Sequence, residues 1–360
     1  CNYTNINLSI NNYHGNNPKF PYSCLSKFSV DKTIDFFEQL GITPAIEDSG
    51  KVFPLSFQSS SVLDVLRYEL EDIGVEVLTD AFVVSIKKEK DFAISLKDGR
   101  KIYGDRVIIA TGGNAAPFTG SDGNGYVLAQ KLGHSTVELF PGLVQLKLEG
   151  DTFKQVDGVK FVGTASLYEK DKLIKEDRGD ILFTNYGISG PPILQLSRTA
   201  LDYLNKDKRI ELKISIIDTK TQEELYEYLK YRFSFMQRKT IDIGLIGLIN
   251  KRLILPILKR IGLDKNKQIA HLTNEEIREL STILTDLRFN ITGSKSWKDA
   301  QVTAGGVSTD EIDSSTMESK VVKGLYFAGE IIDVDGDCGG FNLQWAWSSG
   351  YVAGENAVLK

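Results

Sequence analysis

Two apolar runs in this chain end in glycine. Asp105-Arg106-Val107-Ile108-Ile109-Ala110-Thr111-Gly112-Gly113 is too short for a helix, and Gly324-Leu325-Tyr326-Phe327-Ala328-Gly329-Glu330 has the same form. Such runs suit strands buried on both faces of a parallel sheet. Glycine at the carboxyl end lets a ligand approach the backbone at the edge where open α/β sheets bind ligands. Downstream of the second run, Asp335-Gly336-Asp337-Cys338-Gly339-Gly340-Phe341-Asn342 leads into a helix. Glycines ahead of a helix N-terminus expose amide N–H groups and the positive end of the dipole, chemistry suited to a phosphate or an electron-rich carbonyl. A tight turn is the purely structural alternative.

Other reactive side chains are sparse. Cys338 stands in the glycine loop, as a redox thiol or as a small residue filling it; with no second Cys nearby, the filler role is favoured. Cys1, Cys24 and Cys338 show no CxxC spacing, so neither a disulfide framework nor a metal site is expected. His14, His134 and His271 share no ligand spacing. Trp345 and Trp347 lie two apart on the final helix and cannot share a face, so one of them belongs in the core.

The elements that must hold these groups read as an α/β protein. The 360 residues carry 43 Lys and Arg against 48 Asp and Glu, with 41% hydrophobic residues. That is ample for two or three domains around a large ligand, and the acidic balance argues against a nucleic-acid partner. The paired basic residues Lys251-Arg252 and Lys259-Arg260 accordingly read as a solvated face. No apolar run reaches the length of a membrane span, and no signal peptide is visible, so a cytoplasmic protein is expected. Helical spacing marks 29–40 and the stretch from Val62 to Ile73, with Ser59, Ser60 and Ser61 as its N-cap. Short strand patterns at 75–78, 82–87 and 92–96 with an Asp98-Gly99 turn predict an antiparallel meander. Residues 140–182 and 209–217 alternate as strands, and 222–283 are helical with Pro256 and Gly262 as breaks. The early grammar of strand, glycine and helix returns near residue 300. The expected organisation is a first part at 1–139, an inserted strand-plus-helix module at 140–298 and a second part at 299–360.

Ala110-Thr111-Gly112-Gly113 after a meander, Gly324 to Gly336, and Gly339-Gly340-Phe341-Asn342-Leu343-Gln344-Trp345-Ala346-Trp347-Ser348-Ser349-Gly350 resemble the FAD-dependent oxidoreductases of the aminoacetone-oxidase-like or BaiN type. Gly50-Lys51-Val52-Phe53-Pro54, Leu182 to Pro191 and Val302 to Val307 extend the resemblance over almost the whole chain. It implies a discontinuous, three-layer Rossmann-like FAD domain with a mainly parallel sheet, interrupted by the inserted module. FAD would be bound non-covalently: Val83 main chain near the adenine, Ala110, Thr111 and Gly112 near the adenosine half, Gly329 and Glu330 near the ribityl and pyrophosphate, and Gly340, Phe341, Asn342 and Leu343 against the flavin ring. Lys51 would lie on the substrate side. Asn185 stands where relatives commonly carry His, so with Cys338 these are the three catalytic candidates. The reaction would be hydride transfer to or from a small organic substrate, completed by NAD(P)H or oxygen; enone reduction and amine oxidation both remain open.

One departure stands out. The strand, Gly-x-Gly-x-x-Gly loop and helix that hold the pyrophosphate in such proteins need about 30 residues, and no such unit precedes the meander here; Gly120 to Gly125 has the wrong glycine order. The chain, starting at Cys1, is therefore expected to be N-terminally truncated, to expose an apolar groove beside Val107 to Ala110 and to hold FAD weakly. A catalytically silent binding module is the competing expectation.

Overall fold

In the computed structural model, which describes residues 2–358 and so leaves Cys1 outside, the chain divides into two units: 1–141 with 301–360, and 142–300.

The discontinuous unit is built on small sheets. Val83–Lys88, Phe92–Leu96 and Lys101–Gly104 form the antiparallel meander, whose core-facing Ile86, Phe92 and Leu96 are buried. The two glycine-ended runs pair side by side and parallel, as Val107–Ile109 with Leu325–Phe327, in the register Val107 to Leu325 and Ile109 to Phe327. No sheet among the described residues of this unit exceeds three strands, so the expected broad parallel sheet is not formed. Nor is the first run buried on both faces: Val107 and Ile109 point into the core, whereas Ile108 between them is 40% exposed. Strand alternation sends successive side chains to opposite faces, and here only one face is covered.

Several helices position the site. Asn124–Lys131 follows the glycine turn after the first parallel strand, and the closing helix is Phe341–Val358. Trp345 is fully buried, while Trp347 joins a separate cluster with Tyr3 and Phe37. Helix Val30–Gln39 starts at Ser29, whose side chain accepts the Lys32 N–H. The three serines proposed as an N-cap instead lie inside helix Ser59–Asp72, which Gln58 precedes without a side-chain cap. Residues 75–78 form no strand; Val75, Val77 and Leu78 are exposed.

The contiguous unit is a closed antiparallel barrel of six strands. Leu146–Leu148, Gly187–Ser189, Lys172–Thr184, Lys160–Glu169, Glu211–Ser215 and Leu287–Ser294 pair in that order, and the last pairs back to the first. Closure removes free sheet edges. Helix Pro191–Asn205 packs on the strands through Ile193, Leu196, Ser197, Ala200 and Leu201, a stripe at helical spacing. Pro256 does not break its region: it sits inside helix Lys251–Arg260, flanked by buried Leu253, Ile254, Ile257 and Leu258, and that packing offsets the lost backbone hydrogen bond. No helix among the described residues is long and apolar enough to cross a membrane.

Candidate functional site

The two parallel strands deliver their glycine turns next to each other. Gly112 has φ +69°, a left-handed conformation that glycine adopts without strain. The Ser121 hydroxyl lies 3.1 Å from the Thr111 carbonyl and 2.7 Å from that of Gly113, holding the turn. A third segment locks it. The Thr303 hydroxyl, on strand Val302–Val307, accepts from the N–H groups of Asn114 at 2.8 Å and Ala115 at 3.0 Å. Its own N–H donates to a Glu330 carboxylate oxygen at 2.8 Å. A Cβ on Gly113 would run into the Thr303 side chain and approach Glu330 Oε1 to 2.7 Å. Burial raises the Glu330 carboxyl above the usual carboxylate range, the Thr303 hydrogen bonds pull it back, and neighbouring Asp335 adds to the rise.

Gly329, next to Glu330, is turned inward. Its N–H donates to Ser349 Oγ at 2.9 Å and its carbonyl accepts from Trp345 Nε1 at 3.1 Å, so both main-chain groups belong to the closing helix.

The loop before the closing helix is equally committed. Asn342 Oδ1 accepts the Gly336 N–H at 2.7 Å, and Asn342 Nδ2 donates to the carbonyls of Gly336 at 2.8 Å and Asp337 at 3.3 Å. Phe341 is buried, and its carbonyl accepts the Tyr13 hydroxyl at 2.9 Å. Asn5 donates to the Gly339 carbonyl at 2.8 Å, while a Cβ on Gly340, which has φ +99°, would come within 2.5 Å of the Thr4 carbonyl oxygen. The tight-turn reading of this loop therefore holds alongside any ligand role. The first bond from Gln344 N–H to the Gly340 carbonyl, at 3.0 Å, leaves the amides before it without intrahelical acceptors. Leu343 is partly buried at this helix start.

A cavity of about 330 Å³ opens on the uncovered face of the first parallel strand. Val83, Ile86, Ile108 and Leu128 give apolar walls, and Thr111, Asp122 and Asn124 a polar rim. Asn124 Nδ2 donates to the Val83 carbonyl at 2.8 Å, tying the meander to helix Asn124–Lys131. The expected apolar groove beside Val107 to Ala110 corresponds to this cavity. Apolar walls with a few polar groups at the strand ends fit the face and edge of a flat heteroaromatic ring.

Val83 and Thr111 thus share the cavity, with Ala110 and Gly112 in the same exposed turn. Glu330 is joined through Thr303 to the residues after Gly113, Gly329 is bonded to the closing helix, and Gly340 to Leu343 lie at that helix's start. Lys51 is partly buried on strand Lys51–Pro54, paired to Asn5, whose side chain reaches Gly339. Cys338 is a partly buried cysteine in the loop, outside any disulfide. Asn185 is exposed in a turn of the barrel unit, between Lys172–Thr184 and Gly187–Ser189.

Residues that sequence spacing did not single out hold this region together: Thr303, Thr4, Asn5 and His14. His14 Nε2 pairs with Asp337 Oδ1 at 2.9 Å, next to Cys338. His134 is buried as well, with Nε2 2.8 Å from Ser319 Oγ and Nδ1 3.1 Å from Glu311 Oε2. Burial holds its imidazole below the ordinary histidine range against the pull of Glu311.

Residues 1–356 match the HI0933-like protein Rossmann domain. The chain is 33% identical to the 3-dehydro-bile acid delta(4,6)-reductase of Clostridium scindens over 99% of its own length and 87% of that protein. It is 30% identical to the ribosomal RNA dihydrouridine synthase of Escherichia coli, covering 99% of this chain and 86% of the relative, and 29% identical to the Haemophilus influenzae protein of the same name. A share of 87% gives no support to the expected truncation, and two relatives named for RNA leave the exclusion of nucleic acid without support. The chain belongs to the HI0933-like Rossmann family and is a flavin-dependent oxidoreductase.

Proposed function

We propose that this chain holds FAD non-covalently and reduces a carbon–carbon double bond conjugated to a carbonyl, with NAD(P)H as electron donor. The observation carrying the cofactor reading is the pair of parallel strands whose glycine turns meet beside an apolar cavity. Val83, Ala110, Thr111 and Gly112 would receive the adenosine half there. Glu330 would meet the ribityl and pyrophosphate stretch, and its bond to Thr303 fixes it in place beforehand. The amides at the start of helix Phe341–Val358 would face the ring, where the positive end of the dipole favours negative charge. FAD supplies the hydride chemistry; the protein orients it and tunes its electron affinity.

The bond class follows from what the relatives' names have in common. A delta(4,6)-reductase of a 3-dehydro bile acid and a dihydrouridine synthase both saturate a carbon–carbon double bond conjugated to a carbonyl. The shared chemistry favours reduction over the amine oxidation left open by the resemblance. Lys51, Asn185 and Cys338 are the candidates for substrate contact or proton delivery.

The purified protein should be yellow, release FAD into the supernatant on heat denaturation, and bleach anaerobically with NADH or NADPH. A 4,6-dien-3-one steroid and a uridine-containing RNA, supplied in turn, should distinguish the substrate classes by re-oxidation of the flavin. A colourless protein that takes up no FAD would instead support the silent binding module.

A further inference from the structure

Ten Lys or Arg stand against two Asp or Glu between residues 228 and 267, within a chain that is acidic overall. Of these, Lys230 pairs with Glu227, Lys267 with Glu276, and Arg260 lies on the Arg288 carbonyl, while Arg232, Arg238, Lys239 and Lys265 lie where helix Gln222–Ser234 of the barrel unit ends. Arg232 donates from Nε to the Gly244 carbonyl at 3.0 Å and from Nη2 to the Ile246 carbonyl at 2.7 Å, pinning the helix end to Ile241–Gly244. That segment lies against 265–269: the Ile269 N–H reaches the Lys239 carbonyl and the Ile241 N–H the Lys267 carbonyl, both at 2.9 Å. Arg238, Lys239 and Lys265 are thereby brought to one edge, all exposed. Asp242 lies at the same edge, its N–H directed at the Lys265 carbonyl, and its carboxylate is engaged locally, accepting from Thr240 Oγ1 at 2.5 Å and the Ile243 N–H at 2.8 Å.

Two aromatic rings accompany these cations. Tyr231 is 66% and Phe235 71% exposed, with ring centroids 5.0 Å apart and planes at 85°. Burying neither ring costs apolar stabilisation that the fold could have gained. The apolar face of the same helix, Leu225, Tyr226, Leu229 and Phe233, is already buried in the unit's own core, so the helix has no second apolar face for a membrane.

We propose that Tyr231, Phe235, Arg238, Lys239 and Lys265 form a docking face for single-stranded RNA. Exposed rings stack on bases irrespective of sequence, and clustered cations neutralise phosphates, which is the combination single strands require. The face binds RNA whether or not the reductase reading holds; it rests on that reading only for the fate of a bound uracil.

Fluorescence anisotropy with a labelled uridine-rich single-stranded RNA, on protein whose flavin content is measured separately, tests this. Arg238→Glu combined with Lys239→Glu should weaken binding at least about tenfold and flatten its dependence on salt between about 50 and 200 mM. Tyr231→Ala with Phe235→Ala should weaken it about fivefold or more without changing that dependence. Lys172→Glu, a single charge reversal at the barrel hairpin, should bind as the parent does. If the charge reversal lowers the thermal midpoint, Arg238→Gln with Lys239→Gln replaces it. Unchanged affinity in the folded face variants, an equal loss in Lys172→Glu, or tighter binding of an acidic peptide than of the RNA overturns the proposal. Loss of flavin with RNA affinity intact counts against the reductase reading alone.

Discussion

Thr4 and Gly340 meet backbone to backbone, the Thr4 carbonyl oxygen lying where a side chain at 340 would begin. Gly340→Ala combines this clash with a left-handed φ, and a cost of about 2 kcal/mol or more is expected. Urea unfolding should show stability and flavin content falling together. Intact stability with lost flavin would mean that the ring, rather than Thr4, requires glycine here.

Asn342→Ala removes the three hydrogen bonds that close the loop between Gly336 and the final helix. A loss of about 1–3 kcal/mol is expected, since the Gly336 N–H and carbonyl are left part-buried without partners. Asn342→Asp keeps the acceptor and loses the donors, so it should fall between the parent and the alanine variant in denaturant midpoint.

Glu330→Gln separates charge from hydrogen bonding, because an amide oxygen can still accept from Thr303. The folded-state pKa of Glu330 is raised, so the contribution of this group is fully present below the ordinary glutamate pKa and is lost as pH rises through the folded value. The variant should therefore gain stability relative to the parent as pH climbs from about 4.5 towards neutrality. A flat difference across that window would place the Glu330 carboxylate in water.

Ile108 and Ile109 are adjacent and chemically identical, yet 40% and 3% exposed. Ile109→Ala should cost about 2–5 kcal/mol, as buried isoleucines do, and Ile108→Ala well under that. Equal losses would mean that the face over Ile108 is covered in solution.

Much of this architecture is local and so was readable. The glycine-ended runs, the meander and the closing helix each declare themselves within about a dozen residues, through strand alternation or helical spacing. The contacts that turn them into a site are not local: Thr303 reaches Asn114 across 189 residues and Asn5 reaches Gly339 across 334. Periodicity carries no information about such pairs. The barrel illustrates the same limit, since alternation in Lys172–Thr184 identifies a strand but not the pairing of Leu146–Leu148 with Leu287–Ser294 that closes the cylinder. Pro256 looks like a helix break because breaker statistics ignore packing, and Ile108 looks buried because an unbroken apolar run is the same whether one face is covered or two.

The hydrogen bonds joining Thr4 to Gln344, Tyr3 to Trp347 and Asn5 to Gly339 span nearly the whole chain. During synthesis, the N-terminal side of each pair leaves the ribosome long before its counterpart exists. The barrel unit, encoded in one uninterrupted stretch, can complete its pairing while the tail is still being made. The discontinuous unit must wait, with Phe37, Val62 and their neighbours unsealed, until the last helix is released. Ribosome stalling short of residue 341 should therefore yield a protease-resistant barrel beside a protease-sensitive remainder.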